Sequence, residues 1–107
     1  MKNKVSEGKK FDLVATGTVT GGVPVVMTEL VGVPEFSGTT GDVIPVDLSG
    51  IFELTKLGGE AWTQGQKVYW DAGNSRCTTT ASTHKQIGHA AVIAGSADVL
   101  GKVKLMW

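Results

Sequence analysis

Cysteine is almost absent from this sequence, since Cys77 is the only one among 107 residues. A single cysteine cannot form an internal disulfide, and the chain opens without the apolar run of a signal peptide. We therefore expect an intracellular product. Long apolar runs are absent too, because glycine, threonine or a charged residue interrupts each one before the roughly 20 residues that span a bilayer. We expect a soluble protein with no membrane partner.

The chain has no excess of charge of either sign. Its 10 basic and 10 acidic residues give a formal net charge of zero, so it lacks the electrostatic field that drives nucleic-acid binding by counterion release. This argues against a nucleic-acid partner. The length suits one domain with one modest core. We expect a single β domain over residues 10–107, preceded by a flexible arm over residues 1–9.

Residues that carry catalysis or bind metals are few and scattered. Cys77 has His84 and His89 as candidate bases, but a lone cysteine in a strand is more often a small buried hydrophobic residue. The two histidines lack further histidine or cysteine ligands for zinc, and segments 38–41 and 58–60 lack the ending of a phosphate-binding loop. Four carboxylates lie beside turns or apolar strand faces, where solvated acidic side chains are ordinary: Glu53, Glu60, Asp71 and Asp98. We expect no enzyme, cofactor, metal or small-molecule substrate.

The composition favours β-structure. The 15 glycines and the abundant valine and threonine disfavour helices, because glycine costs roughly 1 kcal/mol in a helix interior and β-branched side chains favour strands. About nine short strands alternate with turns, and no helix intervenes that would allow parallel pairing. The prediction is an all-β fold, a small antiparallel barrel-like or sandwich domain.

The stretch 61–71 holds two of the three tryptophans and the only tyrosine. Its glycine-centred turn at 64–66 leads into a strand, in which Val68 and Trp70 point to one face. We predict Trp70 as a core anchor, because an inward tryptophan buries roughly 150–250 Å². Trp62 lies in the preceding loop, and both a core position and an interface position stay open for it.

Other strands show clear alternation. Residues 42–48 and 51–56 each place apolar side chains on one face, and the Ser-Gly turn between them predicts an antiparallel hairpin. The same alternation leaves Val14, Val43 and Ile51 facing outward, where an oligomer or a partner would cover them.

The segment Met1–Lys9 has too little apolar surface to fold alone, because Val5 is its only aliphatic residue after the initiator. We expect it to be ordered by a partner, with its lysines meeting an acidic surface and its main chain adding to a sheet edge. The candidate contact residues, together with Trp62 and its loop, are Lys2, Asn3, Lys4, Val5, Ser6, Glu7 and Lys9.

The order of motifs along the chain adds a resemblance. Four motifs follow one another along the chain: the arm ending Ser-Glu-Gly-Lys, the Gly-Ile-Phe-Glu-Leu strand at 50–54, the Gln-Gly-Gln-Lys-Val-Tyr-Trp-Asp run at 64–71 and the Ile-Gly-His-Ala strand at 87–90. Nearly end to end, the chain resembles the small phage capsid cement (decoration) proteins. That family was long catalogued as of unknown function and sometimes labelled recombinase-like, a label that this short chain without a phosphate-binding loop does not fit.

The resemblance implies a virion structural protein of a tailed bacteriophage. It implies a β-rich homotrimer on the outer surface of the head, which binds the major capsid protein through its N-terminal segment and passes through the host cytoplasm during assembly. The alternative is a non-catalytic module for sugar or single-stranded nucleic acid, with Trp62, Tyr69 and Trp70 as stacking platforms. Such a module usually adds a basic groove, which this sequence lacks.

Overall fold

The computed structural model describes residues 9–27 and 30–106. Nine strands and no helix occur in this part of the chain, which confirms the all-β prediction and its strand number. Accordingly, it contains no helix that is long and apolar enough to cross a membrane. The strands are β1 Lys10–Val14, β2 Val25–Met27, β3 Leu30–Pro34, β4 Val43–Asp47, β5 Ile51–Thr55, β6 Lys67–Asp71, β7 Arg76–Thr78, β8 Lys85–Ala90 and β9 Leu100–Leu105.

The strands form two antiparallel sheets. One has the order β1-β4-β3-β2 and the other has the order β5-β9-β8-β6-β7. The five-stranded sheet curls until its two ends meet, because Lys56 forms a parallel bridge with Cys77 and the Leu57 amide donates to the Cys77 carbonyl at 2.9 Å. The barrel-like prediction therefore describes this sheet.

The predicted hairpin of 42–48 with 51–56 is wrong. β4 pairs with β1 and β3 in one sheet, whereas β5 pairs with β9 in the other. The turn at Ser49–Gly50, where Gly50 has φ of 110°, passes the chain from one sheet to the next. Each strand has its apolar face as predicted, but the two faces serve different cores: Ile44 packs in a small cluster and Leu54 packs in the main one.

The main core lies on the concave face of the five-stranded sheet. Trp70, 4% exposed, is part of it, so its predicted role as a core residue is confirmed. Val31 and Val33 of β3 insert into the same core and join the two sheets. The strands β8 and β9 approach each other closely at Gly88, because a side chain there would collide with the main chain of Lys104.

Candidate functional site

Trp62 closes one end of the curled sheet. Its side chain is 1% exposed, and its backbone pairs with Ala94. The ring lies directly on Gly101, where even a single Cβ atom would come within 2.8 Å of Trp62 Cη2. Of the two positions left open by the sequence, the structure places this tryptophan in the core. The indole is not available as a surface contact of the folded chain, and a contact role for the surrounding loop stays a prediction.

A carboxylate holds the tryptophan in place. Glu60 Oε1 accepts hydrogen bonds from Trp62 Nε1 at 3.0 Å and from the Thr79 amide at 2.7 Å, while Oε2 accepts one from Thr78 Oγ1 at 2.9 Å. Burial opposes ionisation of Glu60, but these hydrogen bonds outweigh it and hold the pKa of Glu60 below its ordinary value. The sequence prediction of an ordinary solvated carboxylate is therefore wrong for Glu60, because two of its three donors come from β7 and the residue that follows it, far away in the sequence.

Lys56 is buried at the same end of the curled sheet as Trp62. The residue is 2% exposed, and its ammonium group donates to the carbonyls of Leu57 at 3.0 Å and Asp98 at 3.1 Å. It also lies 5.8 Å from the centroid of the Trp62 ring, within the range of a cation–π contact. Together with the contacts of Glu60 and Trp62, these contacts join three segments that are distant in sequence, namely 56–62, 78–79 and 94–101, and so hold this end of the sheet together.

We expect Glu60→Gln to lower the free energy of unfolding by about 1–2 kcal/mol at neutral pH, because a charge-assisted acceptor is lost. The folded-state pKa lies below the ordinary 4.5, so the carboxylate stabilises the protein fully above that pH and loses its effect as the pH falls through the folded-state pKa. The difference between wild type and variant should therefore shrink in acid. Urea unfolding from pH 7 to pH 3 measures it, with the exposed Glu53→Gln as control. A constant difference across this range would contradict the assignment.

The candidate nucleophile lies in the main core. Cys77 is fully buried, and burial raises the pKa of its thiol to about 12, so the thiolate is scarce at neutral pH. His84 Nε2 lies 4.0 Å from Asp71 Oδ2. Asp71 in turn accepts hydrogen bonds from the amide and side chain of Asn74, which lower its pKa and shape the turn after β6. Within the described ranges, no group of three metal-ligand residues comes together.

The base of the arm is anchored on the four-stranded sheet. Lys2 to Glu7 lie outside the described residues, whereas Lys9 is described and exposed, and its carbonyl accepts from the Leu48 amide at 2.8 Å. Lys10 Nζ then lies 2.8 Å from Glu35 Oε2 and 3.8 Å from Asp47 Oδ1. Lys9 and Lys10, the first two described residues, are therefore held beside β4.

Apolar side chains remain uncovered on both sheets. Val14 and Val43 are direct partners across β1 and β4, and each is 60% exposed, while Ile51 on the other sheet is 61% exposed. Their predicted outward orientation is confirmed. Covering exposed apolar side chains of this kind with a partner is favourable, because it removes apolar surface from water.

The sequence model of the phage cement protein family matches residues 5–105 of the chain. The chain belongs to that family. The resemblance carried by the motifs is confirmed, and membership gives this cement protein a structural role in a phage capsid. Comparisons with curated proteins and with solved structures gave no match.

The structure also bears on the alternative of an aromatic binding module. Two of the three proposed stacking rings, Trp62 and Trp70, are buried in the core of the cement protein, and Tyr69 is only partly exposed. Stacking on a sugar or a base needs an open ring face. The described surface therefore offers no aromatic platform made of these three residues.

Proposed function

We propose that this protein decorates the outer surface of a tailed-phage head and stabilises it by binding the major capsid protein. The observation that carries the proposal is the family match over nearly the whole chain. The uncovered apolar side chains Val14, Val43 and Ile51 support it, because they are available to a protein partner. The protein would act at the virion surface after a period in the host cytoplasm, without catalysis, cofactor or small-molecule substrate.

The proposal includes a homotrimer. Each sheet exposes apolar side chains on an outer face, and β1 and β2 are edges of the four-stranded sheet, so association would cover surface that is costly to leave in water. The number three comes from the resemblance. Light scattering at micromolar concentration should give the mass of three chains. A single-chain mass throughout the concentration range would refute a trimer in solution.

Residues 1–9 are proposed as the capsid-binding arm. Ordering a chain costs roughly 1–2 kcal/mol of backbone entropy per residue, and one aliphatic side chain, Val5, cannot offset that alone. Two kinds of contact with the shell would offset this entropy cost. The main chain of the arm would form hydrogen bonds to a sheet edge, and the charges of Lys2, Lys4 and Lys9 would meet an acidic surface. The fixed exit point at Lys9 and Lys10 would set the direction in which the arm leaves the domain.

We expect deletion of residues 2–8 to weaken binding to expanded heads at least tenfold and to leave the unfolding temperature nearly unchanged. The deletion keeps Lys9, whose carbonyl pairs with Leu48, so the fold loses no described contact. Co-sedimentation with heads assembled without this protein measures affinity. Lys2→Ala with Lys4→Ala separates the two contributions, because it removes charge but keeps the main chain, and it should weaken binding less than the deletion does. Full affinity in the deletion variant would refute the role of the arm.

A further inference from the structure

The four-stranded sheet has an open groove between its two edges. β1 and β2 lie at opposite ends of the strand order, and each has one strand neighbour among the described residues. Residues from both edges nevertheless line one groove of about 450 Å³: Leu13 and Val14 on one side, Val25, Val26 and Met27 on the other. The connection at 16–19 also lines this groove. The groove therefore lies between the two edge strands of the sheet.

The other sheet of the same protein provides an internal comparison. It has five strands, and its ends meet through the bridge between Lys56 and Cys77, so its edges are partly covered. The sheet with the groove has four strands, and the described residues form no corresponding bridge between β1 and β2. Unpaired strand edges accept an additional extended chain readily, because their amide and carbonyl groups are free to pair. Among the described residues, this sheet is not closed.

The lining indicates the chemistry of that strand. Every described residue that lines the groove is uncharged, with valine, leucine, methionine, threonine and glycine side chains. A charged segment would lose solvation there without gaining a partner. The N-terminal arm of this chain does not match such a lining, because it carries four charged residues and only one aliphatic residue after Met1. The charged residues are Lys2, Lys4, Glu7 and Lys9, and the aliphatic residue is Val5. An uncharged extended segment with alternating apolar residues fits both the edges and the lining.

We propose that the groove between β1 and β2 receives an extended, uncharged strand of the capsid shell protein, which completes the four-stranded sheet. Because every neighbouring pair in that sheet is antiparallel, β1 and β2 run in opposite directions. The inserted strand would be parallel to one edge and antiparallel to the other. This inference rests on the proposed function, since the partner is the shell, and it adds a second contact to that of the arm.

Two glycines make a matched test. A Cβ atom at Gly17, in the groove lining, or at Gly58, in a turn of the other sheet, would meet no atom within 4 Å, and neither residue has left-handed φ. Lysine is therefore tolerated at both, but only Gly17→Lys adds a charged side chain at the lining of the groove. We expect Gly17→Lys to weaken binding to heads assembled without this protein at least tenfold. Gly58→Lys should bind within twofold of wild type, with both variants unfolding near the wild-type temperature.

Hydrogen exchange on the wild-type complex is the second measurement, and it does not depend on any variant. Amides of β1 and β2 should become protected on the head, because strand insertion pairs main-chain groups. Unchanged binding of Gly17→Lys, or absence of this protection, would overturn the inference while wild-type binding still upheld the proposed function. Failure of wild type to bind heads would refute the proposed function itself. If Gly17→Lys had a lower solution mass than wild type in the absence of heads, the groove would be a contact between copies of this chain. That result would overturn the proposal that it binds a strand of the shell protein.

Discussion

Gly88→Ala should lower the free energy of unfolding by more than about 3 kcal/mol, a large share of the roughly 5–15 kcal/mol typical of a domain. The added methyl group would collide with the carbonyl oxygen of Lys104 and lie 2.8 Å from its carbonyl carbon. Both atoms belong to the main chain of β9, so a change of rotamer cannot relieve the collision. The two strands have to separate, and β8 lies in the middle of the five-stranded sheet.

Thermal unfolding followed by circular dichroism measures this effect. Gly58→Ala is the control, because the same methyl group at that position meets no atom within 4 Å. We expect Gly88→Ala to lower the unfolding temperature by more than about 10 °C and the control to stay close to wild type. Equal unfolding temperatures for the two variants would mean that β8 and β9 are not packed as described.

Trp62→Ala should destabilise the protein by about 3–5 kcal/mol, the usual cost of removing a large buried aromatic side chain. The ring is fully enclosed, it covers Gly101, and its indole group donates to Glu60. Removing it leaves a cavity at the closed end of the sheet and takes away one of the three hydrogen bonds that the Glu60 carboxylate accepts. Trp62→Phe, which keeps most of the packing but loses the hydrogen bond, should cost less.

The same pair of variants tests the contact role predicted for this residue. Because the ring is buried, head binding of Trp62→Ala should fall only in proportion to the unfolded fraction, as measured by urea unfolding at the same temperature. Trp62→Phe should bind heads as well as wild type does. A variant that is fully folded and no longer binds would mean that the ring itself contacts the shell.

Much of the local structure of this cement protein follows from its sequence, because side chains in a strand alternate with a period of two. Residues 67–71 show this: the pattern predicted Val68 and Trp70 inside, and both are buried. Outward-facing Val14 and Ile51 were found by the same rule. Turns also follow from local sequence: a turn was predicted at Gly65, and this residue has the positive φ, 86°, that favours glycine. Family membership likewise followed from the order of short motifs.

The sequence by itself therefore determined the fold class, the strands, their inward faces and the family. Only the tertiary structure decided which strands pair, because pairing depends on contacts between residues far apart in the chain. β4 and β5 are neighbours in sequence and belong to different sheets. The burial of Trp62 depends on a glycine in β9, and the role of Glu60 depends on donors beyond the next strand. The groove likewise exists because β1 and β2, joined by one connection, do not pair with each other.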